Sequence, residues 1–251
     1  MITKEQVQEL TKKLLIDWYS VLREYIQVVF LSALYEDKLS QHVFFKGGTA
    51  VRLLLNSFRF SEDLDFTANL SQEEIEIIIK KTIERVNLVI PDITFKRQKS
   101  IDKTFAGTVN LTSNEYKYPL NIHIDISYRE KPITQTETVL ETLFPVSPYP
   151  LVVHLSWEEI LAEKIRALMT RAKGRDLFDL WYLFSKDKKL DMKLVNKKME
   201  LYKKKIDEND IVNKIKSFKE ENLINDLNKY LPTNQRKITP KIKEMLIGKF
   251  R

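Results

Sequence analysis

Cysteine is absent from the 251-residue sequence. The absence excludes disulfide bonds, a thiol nucleophile and cysteine-ligated zinc sites, and it fits a reducing compartment. No stretch approaches the roughly 18 consecutive apolar residues of a membrane-spanning helix. Residues 1–6 also lack the basic and apolar regions of a signal peptide. We therefore expect a folded, cytoplasmic protein with no membrane partner.

Glycine is scarce as well, with five in the chain where roughly 7% of residues is typical. Two of the five, Gly47 and Gly48, are adjacent. The apolar run 43–45 predicts a short strand before them, and residues 49–55 predict the first turns of a helix. Because glycine lacks a Cβ and a helix N-terminus presents free amides, this strand–turn–helix junction is typical of phosphate binding.

An acidic pair, Asp63 and Asp65, follows the glycine turn. In an extended segment alternate side chains share one face, so the two carboxylates are expected to lie close together. A proton or a divalent cation relieves such repulsion, and Mg²⁺ is commonly held by carboxylates together with substrate phosphates. A solvated acidic turn is the alternative for an isolated Asp-x-Asp, but the glycine turn upstream favours a metal site.

A third carboxylate of interest, Asp125, lies in a stretch with strict alternation of isoleucine and polar residues. The alternation predicts a strand over 119–128, after two others at 93–98 and 104–112, with a turn near 113–115. Asp125 is predicted to face away from the isoleucines. It lies either on the solvated side of the sheet or beside Asp63 and Asp65 as a third metal ligand.

Helix start signals and prolines divide the chain. Capping boxes at Thr3, Ser71 and Ser156 predict a helix within 3–35, either continuous or interrupted, a second that ends before Pro91, and a third in the second half of the chain. Three prolines between residues 145 and 150 predict a linker over 145–155. We therefore expect a catalytic domain at 1–145 and a helical domain at 146–251.

The third helix carries Lys164 on its apolar stripe, four residues from both Ile160 and Leu168. Burying an ammonium without a partner is costly. Snorkelling is one solution; the other, which we favour, is an ammonium directed at phosphate or carboxylate. Downstream, Asp176 is explained as a helix-start residue, but helix capping does not explain the basic cluster that precedes Asp176 and Asp179.

Basic residues are concentrated near the end of the sequence. Residues 186–251 contain 19 Lys and Arg against 10 Asp and Glu, which leaves a net charge of −2 for residues 1–185. A basic region of this kind is typical of nucleic-acid binding, although lysines on exposed helix faces also serve solubility. Both interpretations stay open at this point.

Several of these stretches together resemble the AbiEii/AbiGii toxin family of DNA polymerase β-like nucleotidyltransferases, to which MenT-type toxins are similar. The stretches are 46–50, 59–66, the strand around Asp125, and Lys164 followed by 175–179. The 14 residues between Gly48 and Asp63 are slightly more than the superfamily pattern has. The resemblance implies an α+β fold, with a mixed sheet flanked by helices and a helical C-terminal domain that contributes Lys164 and Asp176 to the cleft.

The resemblance also implies a Mg²⁺-dependent transfer of a nucleoside monophosphate from an NTP to an acceptor hydroxyl. Two Mg²⁺ ions would be held by Asp63 and Asp65, and Asp125 would hold the catalytic ion and help to activate the acceptor. Lys164 would neutralise charge on the phosphates, and either Asp176 or Asp179 would be a fourth functional acid, with Asp176 favoured. The implied nucleotide-binding residues are Lys46, Gly47, Gly48, Thr49, Ser61 and Lys164.

The implied biological role is that of the toxin in a bacterial type IV toxin–antitoxin pair, with a cognate antitoxin as partner. A tRNA 3′ end is one acceptor that the resemblance suggests, and the basic C-terminal region is compatible with it. Protein and small-molecule acceptors stay open, as do the nucleotide and the oligomeric state.

Two other functions match parts of the sequence. Residues 63–67 fit the Asp-x-Asp-x-Thr nucleophile loop of haloacid-dehalogenase-like phosphatases, but that assignment leaves the glycine turn unexplained. A catalytically inactive nucleotide-binding or interaction module is the second alternative. All three carboxylates and Lys164 are present, so no residue in the sequence indicates such a loss.

Overall fold

The computed structural model describes residues 1–99, 103–112, 119–171 and 173–250, and divides the chain into two compact units. Unit 1 comprises residues 1–56 and 60–155, and unit 2 comprises residues 57–59 and 156–251. The turn expected near 113–115 lies outside the described residues. Within those residues, no helix has both the length and the apolar character needed to cross a membrane.

Unit 1 is a mixed sheet with helices. Its helices are α1 (Lys4–Leu14), α2 (Trp18–Tyr35), α3 (Gly47–Leu54) and α4 (Gln72–Val89), and its strands are β1 (Val43–Lys46), β2 (Leu64–Ala68), β3 (Ile93–Arg97), β4 (Thr104–Leu111), β5 (Leu120–Ser127), β6 (Gln135–Val139) and β7 (Leu151–Leu155). The strand order is β3-β4-β5-β2-β1-β7-β6. The β1–β7 and β2–β5 pairs are parallel, whereas the other pairs are antiparallel.

The predicted first helix is interrupted. Leu15 adopts a left-handed conformation at the end of α1, with φ of 54°, and Asp17 then caps α2 by accepting a hydrogen bond from the Ser20 amide. Helix α2 packs against α4 and against strands β5 and β7. It is buried over most of its length because its sequence is apolar on nearly every side.

Strand β5 confirms the predicted alternation. Its isoleucines at 122, 124 and 126 are buried, and Asn121, His123 and Asp125 lie on the exposed face. Each successive side chain of a strand points to the opposite face, so the isoleucine period alone fixes the orientation of Asp125.

The prediction of a linker over 145–155 is wrong for its second half. Residues Leu151–Leu155 form β7, which pairs with β1 at Phe45 and with β6 along its length. The prolines end before this apolar, β-branched run, so they do not interrupt it. Strand β6 was not expected, because its sequence Gln-Thr-Glu-Thr-Val is polar and it lies at the sheet edge.

Unit 2 is helical throughout its described part. Its helices are α5 (Trp157–Thr170), α6 (Gly174–Ser185), α7 (Met192–Met199), α8 (Glu208–Ser217), α9 (Glu220–Leu227) and α10 (Thr239–Ile247), with short 3₁₀ turns between some of them. Helix α6 is central and packs against α5, α9 and α10. Phe58, from the segment 57–59, contacts the rings of Phe178, Trp181 and Tyr182 on α6. The α+β fold class expected from the sequence is thus confirmed.

Candidate active site

The glycine turn begins α3 directly after β1. Gly47 has φ of +79°, a left-handed conformation that a residue with a side chain adopts only with strain. A Cβ at this position would also lie 2.9 Å from the Cβ of Asp65. Glycine is therefore required both by the turn and by the carboxylate side chain beside it. The residue before it, Lys46, is the N-cap of α3, and the Lys46 side chain makes no capping hydrogen bond.

The segment before Asp65 is held by two buried polar side chains. The hydroxyl of Thr49 on α3 donates a hydrogen bond to the backbone carbonyl of Asp63. The Gln27 amide on α2 donates to the carbonyls of Ser61 and Glu62, at 3.1 and 3.0 Å. Both Thr49 and Gln27 are buried. The chain that carries Ser61 and Asp63 is therefore fixed from α2 and from α3.

Strand register brings the acidic residues together. Asp65 on β2 is opposite Lys46 on β1, and it is opposite Asp125 on the parallel neighbour β5. Neighbouring strands lie about 4.8 Å apart, so the two carboxylates start from adjacent backbone positions. On the other side, the small residue Ala106 of β4 is opposite Asp125.

These positions line a pocket of about 500 Å³ in unit 1. Its lining includes predicted site residues Lys46, Asp65 and Asp125. It also includes polar and charged residues that the sequence analysis did not select: Gln98, Lys99, Thr104, Ser127 and Arg129. For Thr104 on β4 and Ser127 on β5 the available signal was their outward position, since outward positions alternate with buried ones along a strand.

The pKa of Asp125 is raised above its ordinary value. Partial shielding of the carboxylate from water is the main cause, and the negative charge of Asp63 adds to it. His123, Arg129 and Lys46 act in the opposite direction without cancelling the shift. The carboxylates of Asp63 and Asp125 therefore interact through space, and negative charge accumulates in this part of unit 1.

The donor set fits a hard divalent cation, because carboxylate oxygens are the ligands that Mg²⁺ prefers. A bound cation would also relieve the repulsion between Asp63 and Asp125. Among the residues that the structure describes, no group of three or more His, Cys, Asp or Glu side chains is arranged to ligate a metal ion. The chemistry of the residues thus suits Mg²⁺, while a three-ligand coordination sphere is not preformed.

Unit 2 contains a charge cluster, Arg59–Lys164–Arg171–Asp176–Asp179, in which every member except the exposed Arg171 is buried. The Lys164 ammonium lies 2.6 Å from Asp179 and 3.6 Å from Asp176. The Arg59 guanidinium makes two hydrogen bonds to Asp179, at 2.8 and 3.0 Å, and Arg171 makes two to Asp176, both at 2.9 Å. The partner that a buried Lys164 needs is therefore a pair of carboxylates on α6.

Burial and charge act in opposite directions on Asp179. Burial raises the pKa of this carboxyl. Arg59 and Lys164 together lower it by more than burial raises it, so the pKa lies below the ordinary value. Asp176 and Asp179 are both fully buried and both contact Lys164. Arg59 is only 2% exposed, and the sequence analysis gave it no role. A buried arginine needs an acidic partner, but the residues near Arg59 in the sequence do not identify that partner as Asp179.

Comparison with known proteins identifies the family. Residues 29–246 match the family described as "Nucleotidyl transferase AbiEii toxin, Type IV TA system". The chain belongs to this family. The AbiEii assignment makes the protein a nucleotidyltransferase toxin, and it implies an NTP substrate and a cognate antitoxin. It favours neither the phosphatase alternative nor the inactive-module alternative.

Solved structures show the same fold. JHP933 from Helicobacter pylori superposes with a TM-score of 0.59 at 21% identity, covering 94% of this chain and 91% of its own. MenT4, nucleotidyltransferase toxin Rv2826c from Mycobacterium tuberculosis H37Rv, superposes with a TM-score of 0.65 at 18% identity, covering 98% and 90%. No curated protein matches the sequence.

Proposed function

We propose that this AbiEii toxin transfers a nucleoside monophosphate from an NTP to a hydroxyl of tRNA or another RNA, with Mg²⁺ as cofactor. The observation that carries the proposal is the register of the sheet. It sets Asp65 opposite Asp125 in one pocket, with the Gly47 turn against Asp65. The turn proposed to bind phosphate and the carboxylates proposed to bind metal are thus adjacent in unit 1.

The donor triphosphate is proposed to bind at the start of α3. The amides of Gly47, Gly48 and Thr49 belong to the first turn of α3, and amides at a helix N-terminus favour phosphate. Lys46 lines the adjacent pocket and supplies positive charge. Ser61 is proposed to shape the same region, and the hydrogen bond from Gln27 to its carbonyl supports this by fixing its backbone.

Asp63, Asp65 and Asp125 would hold two Mg²⁺ ions. Bound there, the ions would neutralise the phosphates and lower the pKa of the acceptor hydroxyl. Asp125 is proposed to help activate the acceptor by accepting the proton of that hydroxyl. The acceptor oxygen forms a bond to the α-phosphorus as the bond from that phosphorus to the β-phosphate oxygen breaks, and pyrophosphate leaves.

Lys164 is proposed to neutralise negative charge on the phosphates, with Asp176 as the acid that orients it and Asp179 as the alternative. The Lys164 ammonium is held against both carboxylates of α6, which supports the proposal that one of these acids orients it. The division into a catalytic domain, expected at 1–145, and a helical domain, expected at 146–251, is part of the same proposal, except that β7 (Leu151–Leu155) belongs to the sheet of unit 1.

The acceptor is proposed to contact the basic C-terminal region. Lys203, Lys204 and Lys205 are consecutive and exposed, as an RNA contact requires. Not every lysine of the region is available, because Lys198 is buried and paired with Glu159 and Glu163. Action on tRNA would place the toxin in the cytoplasm.

The test is incubation with each of four α-labelled NTPs, Mg²⁺ and total cellular tRNA, beside Asp65→Ala and an Asp92→Asn control. Asp92 is an exposed residue of unit 1 between α4 and β3. Label that enters RNA with wild type and the control, but not with Asp65→Ala, supports the proposal and identifies the nucleotide. Label on protein alone rejects the RNA acceptor, and no label on either rejects the proposed reaction.

A further inference from the structure

The pocket of unit 1 has a cationic wall that the proposed donor site does not use. Lys46 lies on β1, Asp65 on the next strand, β2, and Asp125 on the strand after that, β5. The lining also contains two further cations, Arg129, which follows the end of β5, and Lys99, which follows the end of β3. Lys46 therefore belongs to β1, whereas the other two cations follow the ends of β5 and β3.

We infer that Arg129 and Lys99 form a second phosphate-binding subsite in this pocket. The inference rests on the proposed function and deepens it. A nucleotide transfer brings two phosphate-bearing molecules to carboxylates that repel both, so each molecule needs cations of its own. The phosphate at this subsite belongs either to the RNA acceptor or to the donor triphosphate.

Arg129 has a fixed base and an exposed side chain. The neighbouring Tyr128 donates from its amide to the Lys103 carbonyl at 3.0 Å and from its hydroxyl to the Gln72 side chain at 3.3 Å. Arg129 itself donates from Nε to the Ser127 hydroxyl at 3.3 Å. A guanidinium oriented in this way suits phosphate, because its planar set of donors matches two phosphate oxygens.

The Lys99 side of the subsite is also anchored. The amide of Gln98 donates to the Ala106 carbonyl at 2.9 Å, and its side chain donates to the Thr108 hydroxyl at 2.9 Å. These bonds attach the end of β3 to β4, next to the position that pairs with Asp125. Lys99 follows directly and is exposed at the pocket, so its ammonium is available as a point charge.

The test is equilibrium binding, which requires no turnover. Wild type and the double variant Arg129→Gln/Lys99→Gln are titrated with two probes in Mg²⁺: inorganic triphosphate, and a short fluorescent single-stranded RNA. The matched control is Lys12→Gln/Lys13→Gln, which removes two exposed charges from the end of α1. Thermal unfolding of each variant checks that the fold is retained.

We expect the double variant to weaken one probe by about tenfold or more, since each lost charge-assisted hydrogen bond to phosphate has an effect of that order. Weakened RNA binding, with a shallower salt dependence by about 0.7 per lost contact, assigns the subsite to the acceptor. Weakened triphosphate binding assigns it to the donor.

An unchanged affinity for both probes, relative to the control, overturns the inference. Because binding is measured without transfer, this result is separate from the labelling experiment. If wild type transfers no label but the double variant still binds a probe more weakly, the subsite stands and the proposed reaction does not. The converse result keeps the reaction and removes the subsite.

Discussion

Two aspartates of this toxin have opposite pKa shifts, although loss of hydration acts to raise the pKa of both. In the pocket of unit 1, partial shielding and the neighbouring Asp63 raise the pKa of Asp125. In the buried cluster of unit 2, Arg59 and Lys164 outweigh burial and lower the pKa of Asp179. The sign of each pKa shift therefore depends on the charge of the neighbouring groups. It distinguishes a pocket that attracts cations from a cluster that already contains cationic side chains.

This difference predicts different responses to mutation. Removing a charge from the unit 1 pocket relieves repulsion and leaves the fold intact, so the loss is expected in activity. Removing one from the unit 2 cluster leaves buried partners without a counter-ion, so the loss is expected in stability. Four measurements test or sharpen this contrast.

The largest effect is expected from Asp65→Asn. If Asp65 is a ligand of the catalytic metal, the rate of label transfer should fall by about 10³-fold, because metal-ion stabilisation is worth several kcal/mol. The free energy of unfolding should stay the same or rise. Asp92→Asn is the matched control, since Asp92 is exposed and asparagine tolerates its positive φ of 65°. Transfer at the wild-type rate by Asp65→Asn would remove Asp65 from the metal site.

The second effect concerns Asp179→Ala, which leaves Arg59 and Lys164 buried without this shared carboxylate. We expect a loss of about 3–5 kcal/mol in the free energy of unfolding, measured by urea denaturation. The comparison is Glu200→Ala, which removes one partner of the exposed Lys197–Glu200 pair, and there we expect little change. Equal losses in the two variants would contradict the expectation that the buried ion pairs of Asp179 stabilise the fold.

Gly47→Ala should affect both properties in unit 1. The left-handed backbone costs about 1–2 kcal/mol for a residue with a Cβ, and the new methyl group meets the Asp65 side chain. Transfer should therefore fall by more than the stability loss alone accounts for. Gly248→Ala serves as control, because φ there is −60° and a Cβ meets no atom within 4 Å. Wild-type transfer by Gly47→Ala would argue against a required approach of the turn to Asp65.

The smallest effect is a difference in pH dependence. The lowered pKa of Asp179 contributes stability that is present above the unfolded-state pKa, about 3.9, and is lost as pH falls through the folded value. The raised pKa of Asp125 has the opposite sign, since its ionisation reduces stability as pH rises from that unfolded value through the folded one. Unfolding free energies from pH 3 to 7 should therefore show Asp125→Asn gaining on wild type as pH rises. No relative gain would contradict the raised pKa.

Local features of the site could be predicted from the sequence. The Gly47–Gly48 turn, the start of α3 and the alternation around Asp125 each depend on a few consecutive residues, and the structure contains all of them. The sequence left two alternatives for Asp125, a position on the solvated side of the sheet or one beside Asp63 and Asp65. The alternation defines a face of β5 but not the neighbouring strand, and the parallel β2–β5 register decides it.

Long-range contacts were beyond the sequence signals. Arg59 and Asp179 are 120 positions apart. They meet because residues 57–59 pack within unit 2. Strand β6 was missed because polar edge strands lack the apolar period that identifies strands. Lys99 and Arg129 follow strand ends, where a charged residue is ordinarily exposed, so their place in the pocket becomes visible only with the sheet assembled.

The parallel pairing of β2 with β5 also determines at what stage of synthesis the proposed site can be completed. Helix α4 and strands β3 and β4 are synthesised between the two strands, and closing so long a loop has an entropic cost that slows pairing. A nascent chain that ends before β5 has the glycine turn and Asp65 but not Asp125. The proposed site is therefore incomplete through about half of translation, and a toxin truncated before β5 is expected to transfer no nucleotide.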